Sequence, residues 1–471
     1  MPSATVEAGN GRPQADDPLH AEVAGLRATF RSGRTRPLAW RRKALRSLVE
    51  FLEAESGAIA EAVHEDLGRP AAETLTSEVG LIRLEARHAL KHLEEWAAAR
   101  PVSVPLFAHP ARAWTEPEPA GTVLILGPWN YPFQLLLVPL VSALAAGNTI
   151  LLKPSELAPA SAALLAERLG RYVDDEALRV VEGDADVART LVALPFDHIF
   201  FTGGIRIGRA VAHAAAERLV PVTLELGGSS PALVDASADL EVAARRIAWG
   251  RFLNAGQTCV APNHVLVERS VADPLLEALR RATTALYGPD ARLSPDYGRI
   301  VNAHHFARLE HLLEGHTPWL GGRTDPAERY IEPTIVWDPD PSSLLLQDEI
   351  FGPILPVLPV ASLESAVAFV ADRPAPLAVY LFTSRRGVPD TVRDRTRSGS
   401  LVVNDVVLQA MVPDLPFGGV GPSGHGRAHG RAGFDTFSIW RAHLRRSTAW
   451  DPALRYPPYS KRALAWFRRL F

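Results

Sequence analysis

With 471 residues the chain is too long for one core, so two domains plus smaller elements are expected. Its 47% apolar and 22% charged content is that of an ordinary globular protein, and 53 acidic against 50 basic side chains argue against an electrostatic grip on nucleic acid. One cysteine excludes an intramolecular disulfide and a thiolate-rich metal site, which fits a reducing cytoplasm.

Residues 1–20 lack a basic stretch followed by an apolar run, so they read as a disordered leader rather than a secretory signal. The longest apolar run, 133–147, is too short to span a bilayer and contains Pro139. Apolar spacing of three and four predicts an amphipathic helix over 38–54, with further helices to about Arg100. The pattern then changes. "TVLIL", "NTILLK", "LRVVEG", "DHIFFT" and "PVTLEL" read as strands alternating with four helices between 122 and 226, the first being 133–146 with Gly147 as its cap. That alternation predicts a doubly wound parallel α/β sheet with ligands at the carboxyl ends of its strands. A second α/β unit follows: strand "PALVD", a helix over 238–253, the cysteine segment, strand "HVLVE", then helices and loops to about 420.

Several strand ends carry chemistry. "NAGQTCVAPNH" places Cys259 in a loop among Asn254, Gln257 and Asn263. A lone cysteine is ordinarily a small buried hydrophobe, but these amides are poor core material. "ELGGSSP" puts Glu225 at a strand end, either as a solvated carboxylate or as a general base beside glycines that admit a close ligand. In "GPWNYPF", Asn130 either caps the following helix or donates to an oxyanion. In "KPSE", Lys153 and Glu156 are either a surface ion pair or a ribose site. "FTGGIRIG" has glycines at 203, 204 and 208 and is not the G-x-G-x-x-G fingerprint. "EIFGP", with Glu349 and Phe351, and "PFGGVGPSGHGR" are weak signals alone. Trp129, Tyr131 and Phe434 hint at an apolar entrance.

In their order along the chain, "PWNYP", "AAGNTILLKPSE", "FDHIFFTGG", "PVTLELGGSSP", "NAGQTCVAP", "QDEIFGPILPV", "LPFGGVGPSGHG" and "RYPPYS" cover most of its length. Together they resemble the NAD(P)-dependent aldehyde dehydrogenase superfamily, class 3 (fatty and aromatic aldehyde dehydrogenases) in particular. The resemblance implies Cys259 as nucleophile, Glu225 as general base and Asn130 as oxyanion donor. Lys153 and Glu156 would then lie at the adenosine ribose, Gly203, Gly204 and Gly208 near the pyrophosphate, and Glu349 with Phe351 at the nicotinamide ribose, with Ser155 and Trp129 also cofactor-binding. It further implies an aldehyde dehydrogenase-like fold, with a nucleotide-binding domain over 21–100 and 119–224 and a catalytic domain over 225–420. A bridging sheet at 101–118 and 433–447 would join a homodimer, leaving a tail at 448–471. NAD is the expected cofactor, with NADP also accepted and no metal. Two positions depart from the family pattern: Gly204 stands where a serine is usual, and Ser229 where a lysine is usual.

The expected reaction turns an apolar aldehyde into its carboxylic acid through a cysteine-bound acyl group. A CoA-acylating dehydrogenase and a catalytically silent scaffold are the alternatives; Glu225 argues against the first and the intact set of three against the second. The tail's basic and aromatic residues fit docking on a partner subunit, the favoured reading, or contact with an anionic membrane surface. Location in the cytoplasm is expected.

Overall fold

The structure, a computed structural model, describes residues 18–470. Residues 1–17 of the expected leader lie outside the described residues. The rest of that segment is ordered differently from expectation, because a helix begins at Pro18 and runs to Ser32. Its Val23 and Leu26 are buried against the first sheet, and that burial holds the helix in place.

Three sheets and a two-stranded hairpin organise the described residues. The smallest of the three sheets contains β1 (Arg100–Val102), β2 (Ala111–Pro119) and a late strand, Ser438–Arg446, in that order. The expected bridging segments therefore need trimming. Residues 103–110 form no strand, and 433–436 belong to a helix, Gly430–Thr436, whose Gly433 and Phe434 are buried in the first core. Phe434 is thus core, not entrance.

The first large sheet is built from β3 (Thr122–Leu126), β4 (Thr149–Lys153), β5 (Leu178–Val180), β6 (His198–Gly203) and β7 (Val222–Leu226), all parallel. A sixth strand, Gly424–His425, returns late in the chain to pair antiparallel with β7. The helix Gln134–Ala146 follows β3 and is buried on nearly every face, so its apolar residues show no amphipathic period. Gly147 ends it in the left-handed conformation at φ 92°.

The second large sheet begins with β8 (Pro231–Val234) and β9 (His264–Glu268). After a two-stranded hairpin of β10 (Thr324–Asp325) and β11 (Tyr330–Ile331) it gains β12 (Thr334–Trp337), β13 (Ile354–Val360), β14 (Ala378–Phe382) and β15 (Ser400–Val403). All neighbours are parallel, in the order β12-β13-β9-β8-β14-β15. These four later strands correct the reading of helices and loops up to 420. One of them, "ILPVLPV", carries two prolines, which ordinarily argue against an interior strand. The stagger resolves it: Pro356 is paired only with β12 and Pro359 only with β9, so each lacks a neighbour on one side.

The expected boundary at 225 also moves. Glu225 is ladder-paired to Thr202 and to Gly424, so the first sheet ends beyond it and the crossover falls at 227–230. Among the described residues, no helix is long and apolar enough to cross a membrane.

Candidate active site

The helix Leu240–Phe252 stops two turns' length short of the cysteine, and the chain then reverses sharply. Asn254 and Ala255 take left-handed backbone angles, φ 51° and 50°, which non-glycine residues adopt only where surroundings enforce them. The enforcement is visible. Asn254 Nδ2 donates to the carbonyls of Asn130 (3.0 Å) and Gln257 (3.1 Å), and Gln257 Nε2 donates to the carbonyls of Asn254 (3.0 Å) and Arg299 (2.9 Å). The turn delivers Cys259 to the wall of a cavity of about 430 Å³ that Asn130 and Glu225 also line. Burial, with Glu349 and Glu225 nearby, pushes the thiol up to about 12. The N–H groups of Cys259 itself and of Val260 act in the opposite direction by favouring the thiolate.

Asn130 is buried in the loop between β3 and the helix at 134–146. Its Nδ2 donates one hydrogen to Gln257 O at 3.0 Å, and an amide nitrogen carries a second that the cavity can use. The neighbouring Tyr131 hydroxyl meets Thr258 Oγ1 at 2.8 Å, which ties the two loops together again. Tyr131 faces a second, mostly apolar cavity beside Cys259, lined by Leu81, Leu135, Leu253, Val407, Met411 and Phe417.

Glu225 is 6% exposed, and neither of its carboxylate oxygens has a hydrogen-bond partner. Burial raises its pKa well above the usual carboxylate range, opposed by the Arg427 guanidinium. Glu349 is raised to about 7, again by burial, against a hydrogen bond from Gly228 and the charges of Arg251 and Arg308. Its carboxylate occupies the space a side chain at 227 would take: a Cβ there would stand 1.9 Å from Glu349 Oε2. Gly227 is therefore required by close approach, while Oε1 of Glu349 remains without a partner.

Of the other expected cofactor residues, Trp129, Gly203, Gly204, Glu349 and Phe351 line the main cavity. Trp129 meets Phe351 edge-on, with ring centroids 5.3 Å apart. Lys153, Ser155 and Glu156 do not line it; they follow β4, one strand over along the same carboxyl edge, where Lys153 Nζ pairs with Glu156 Oε2 at 2.9 Å. Gly208 has a packing role. It lies within the helix Ile205–Ala216, and a Cβ there would meet Leu226 at 2.5 Å, so its role is to let helix and strand pack. Ser229, the departure beside the base, accepts from Asn263 Nδ2 at 2.9 Å and holds two loops of the second sheet together.

The cavity residues not singled out from the sequence include His305, Arg308 and His429. His429 is buried with φ 70° and ψ 144° and stacks on Phe417. No local signal in "GRAHGR" marks it. Behind the cavity lies a buried cluster, also unanticipated, in which Arg69 meets Glu78, Asn254 and the carbonyl of Asn130.

Comparison with known proteins places this geometry. The model of the aldehyde dehydrogenase family matches residues 12–442. Aldehyde dehydrogenase family 3 member A2 of Rattus norvegicus is 44% identical over 450 residues, covering 95% of this chain and 93% of the relative. A substrate-bound structure of Staphylococcus aureus AldH superimposes with a TM-score of 0.93 at 41% identity, covering 96% of this chain and 99% of that one. The crystal structure of an NAD-dependent aldehyde dehydrogenase from Sinorhizobium meliloti gives a TM-score of 0.84 at 28% identity, with 93% and 89% covered.

Proposed function

The chain belongs to the aldehyde dehydrogenase family, and from that premise we propose that it oxidises apolar aldehydes to carboxylic acids through an acyl group carried on Cys259. One observation carries the reading: Cys259, Glu225 and Asn130 line a single cavity, with an apolar recess next to the cysteine.

Burial, with Glu349 and Glu225 nearby, disfavours the thiolate, so attack needs a base. Glu225 is that base. Its oxygens are buried and unsatisfied, and accepting a proton relieves the cost of burying the charge. As Cys259 Sγ bonds to the carbonyl carbon, the thiol proton passes to Glu225, directly or through water. The carbonyl oxygen gains the charge, and Asn130 Nδ2 with the Cys259 N–H stabilise it; one such donor is typically worth about 3 kcal/mol. When bound, oxidised nicotinamide supplies the acceptor for the hydride that leaves the former aldehyde carbon. Glu225 gives the thiol proton up to solvent, then takes a proton from the water that attacks the acyl group left on Cys259 and returns it to the departing sulfur, so the thiol is regenerated. Aldehyde, water and oxidised cofactor are consumed, and acid, reduced cofactor and one proton are formed.

The cofactor is NAD(P), and the residues present fit it. Oxygen Oε1 of Glu349 lacks a protein partner at the cavity, as a ribose hydroxyl's acceptor would. Gly203 and Gly204 leave the start of the helix at 205–216 open to a pyrophosphate. Lys153, Ser155 and Glu156 would hold the adenosine ribose. NAD is favoured because Glu156 repels a 2′-phosphate, while Lys153 at 2.9 Å offsets part of that repulsion and admits NADP.

The oligomer is a homodimer formed through the small sheet. Its edge strand Ser438–Arg446 exposes Ile439 and Leu444 along an unpaired ladder, the kind of edge that proteins cover. Absorbance of reduced cofactor across a panel of aliphatic and aromatic aldehydes tests the activity. Turnover should be confined to apolar aldehydes and should end with Cys259→Ser; equal rates on short polar aldehydes would overturn the substrate class.

A further inference from the structure

Arg69 is fully buried, and each part of its guanidinium meets a different segment of the chain. Nη1 pairs with Glu78, Nε donates to Asn254 Oδ1 at 3.1 Å, and Nη2 donates to the backbone carbonyl of Asn130. The guanidinium carbon also lies 4.4 Å from the centre of the Tyr131 ring. Glu78 completes the set with its other oxygen, which accepts the N–H groups of Phe133 (2.7 Å) and Gln134 (2.9 Å). Glu78 stands on a π-helical turn, Leu75–Gly80, a rare geometry that recurs where a side chain must be aimed.

Stability alone is a weak reason for such a pair. Removing both charges from water costs about as much as their attraction returns, and an apolar replacement of similar volume is often no worse. Geometry is what the pair supplies. A planar fork with donors on fixed axes can hold three segments at once, which a flexible ammonium cannot. The segments it holds are the one before the 134–146 helix, which carries Asn130, and the strained turn before Cys259.

We propose that Arg69, held by Glu78, is a positioning residue that locks Asn130 and the Cys259 turn into one oxyanion-binding unit. This rests on the role given to Asn130 above. Because Arg69 acts through Asn130, its loss should fall on the chemical step and should matter little once the donor is gone.

A double-mutant cycle on the full-length enzyme tests this with Arg69→Lys, Asn130→Ala and the pair. Arg69→Lys should lower kcat by about 10- to 100-fold, less than loss of the donor itself, with aldehyde KM and NAD affinity changed by less than about twofold. In the Asn130→Ala background the same change should cost less than about threefold more. If the two losses multiply, or if Arg69→Lys lowers Tm while kcat holds, the positioning role is wrong. If Asn130→Ala alone leaves kcat intact, the oxyanion reading falls and takes this one with it, a result distinct from an additive cycle. Should Arg69→Lys fail to fold, Glu78→Gln carries the same cycle: it keeps the shape and weakens the hold, so kcat should fall by about 3- to 10-fold, again only when Asn130 is present. An equal fall in both backgrounds would overturn the proposal.

Discussion

On the cysteine side of the cavity, Asn130, Tyr131, Asn254 and Gln257 exchange hydrogen bonds between two loops, whereas on the carboxylate side both oxygens of Glu225 and one of Glu349 have no partner. The two sides face different demands. A group that must stabilise charge as it develops works best when already fixed, since nothing then has to reorganise during the reaction. A group that must take a proton works best when its charged form is poorly satisfied, since protonation then relieves a cost. Bracing Glu225 with two donors would stabilise the carboxylate and weaken it as a base.

The largest effect belongs to the braced side. Cys259→Ser should keep the fold and bind cofactor normally, yet lose dehydrogenase activity by about 10³-fold or more, because an alkoxide at neutral pH is far scarcer than a thiolate. Stopped-flow absorbance of reduced cofactor, with cofactor affinity measured separately, distinguishes lost chemistry from lost binding. Retention of more than a few per cent of turnover removes Cys259 from the reaction.

On the bare side, Glu225→Gln keeps size and hydrogen bonding while abolishing basicity. Steady turnover should fall by about 10²- to 10³-fold, with acyl release hit hardest, since water depends more on proton removal than a thiol does. Rapid mixing with aldehyde and NAD should give up to one equivalent of reduced cofactor, and mass spectrometry should find the acyl group on Cys259. Wild-type steady turnover would assign the base elsewhere, with Glu349 as the next candidate. Release by added CoA with formation of acyl-CoA would make the enzyme an acylating dehydrogenase.

How much of this is legible in the sequence depends on how local the determinants are. The first sheet reads well because each strand is a short apolar run between turn signals, and Cys259, Glu225 and Asn130 stand in segments rich in glycine and amides. Four of the six strands of the second sheet are missed, among them "ILPVLPV", whose two prolines sit in an interior strand with staggered neighbours. Arg69 is missed for a different reason. Its partners Asn130 and Asn254 are 61 and 185 residues away, and "GRP" at 68–70 gives no hint that a charge is to be buried there. The packing of Gly208 against Leu226 is likewise invisible in the sequence, since strand and helix meet only in the fold.

The contrast between the two sides also predicts a pH dependence. Glu225 must be ionised to act, and burial raises its pKa, so kcat/KM should go on rising with pH well above the usual carboxylate range. Arg427 is the charge that opposes the rise. Removing it in Arg427→Gln makes the carboxylate harder to form and should move the acid limb upward by about one pH unit, with less activity at neutral pH and recovery at higher pH. An unmoved or downward-shifted limb in pH–rate profiles would mean that the limb reports another group, such as Glu349.

The smallest expected effect lies where the cavity is neither braced nor strained. Gly204 departs from the residue expected of the resemblance, and three features show that glycine is not demanded there. Its φ of −73° is one any residue adopts, a Cβ built at that position meets nothing within 4 Å, and it caps a helix that lacks a side-chain cap. A serine can supply that cap by accepting an N–H of the first turn, an interaction typically worth about 1 kcal/mol relative to alanine but only a few tenths relative to glycine. Gly204→Ser should therefore raise Tm slightly and leave kcat within about twofold, because the residue lies at the helix start and not among the groups that move protons or hold charge. A change in NAD affinity would place the hydroxyl against the cofactor. A large fall in kcat with unchanged affinity would show that the open wall at 203–204 governs alignment of the reacting atoms, and the division between a braced side and a bare side would then need a third, equally constrained wall.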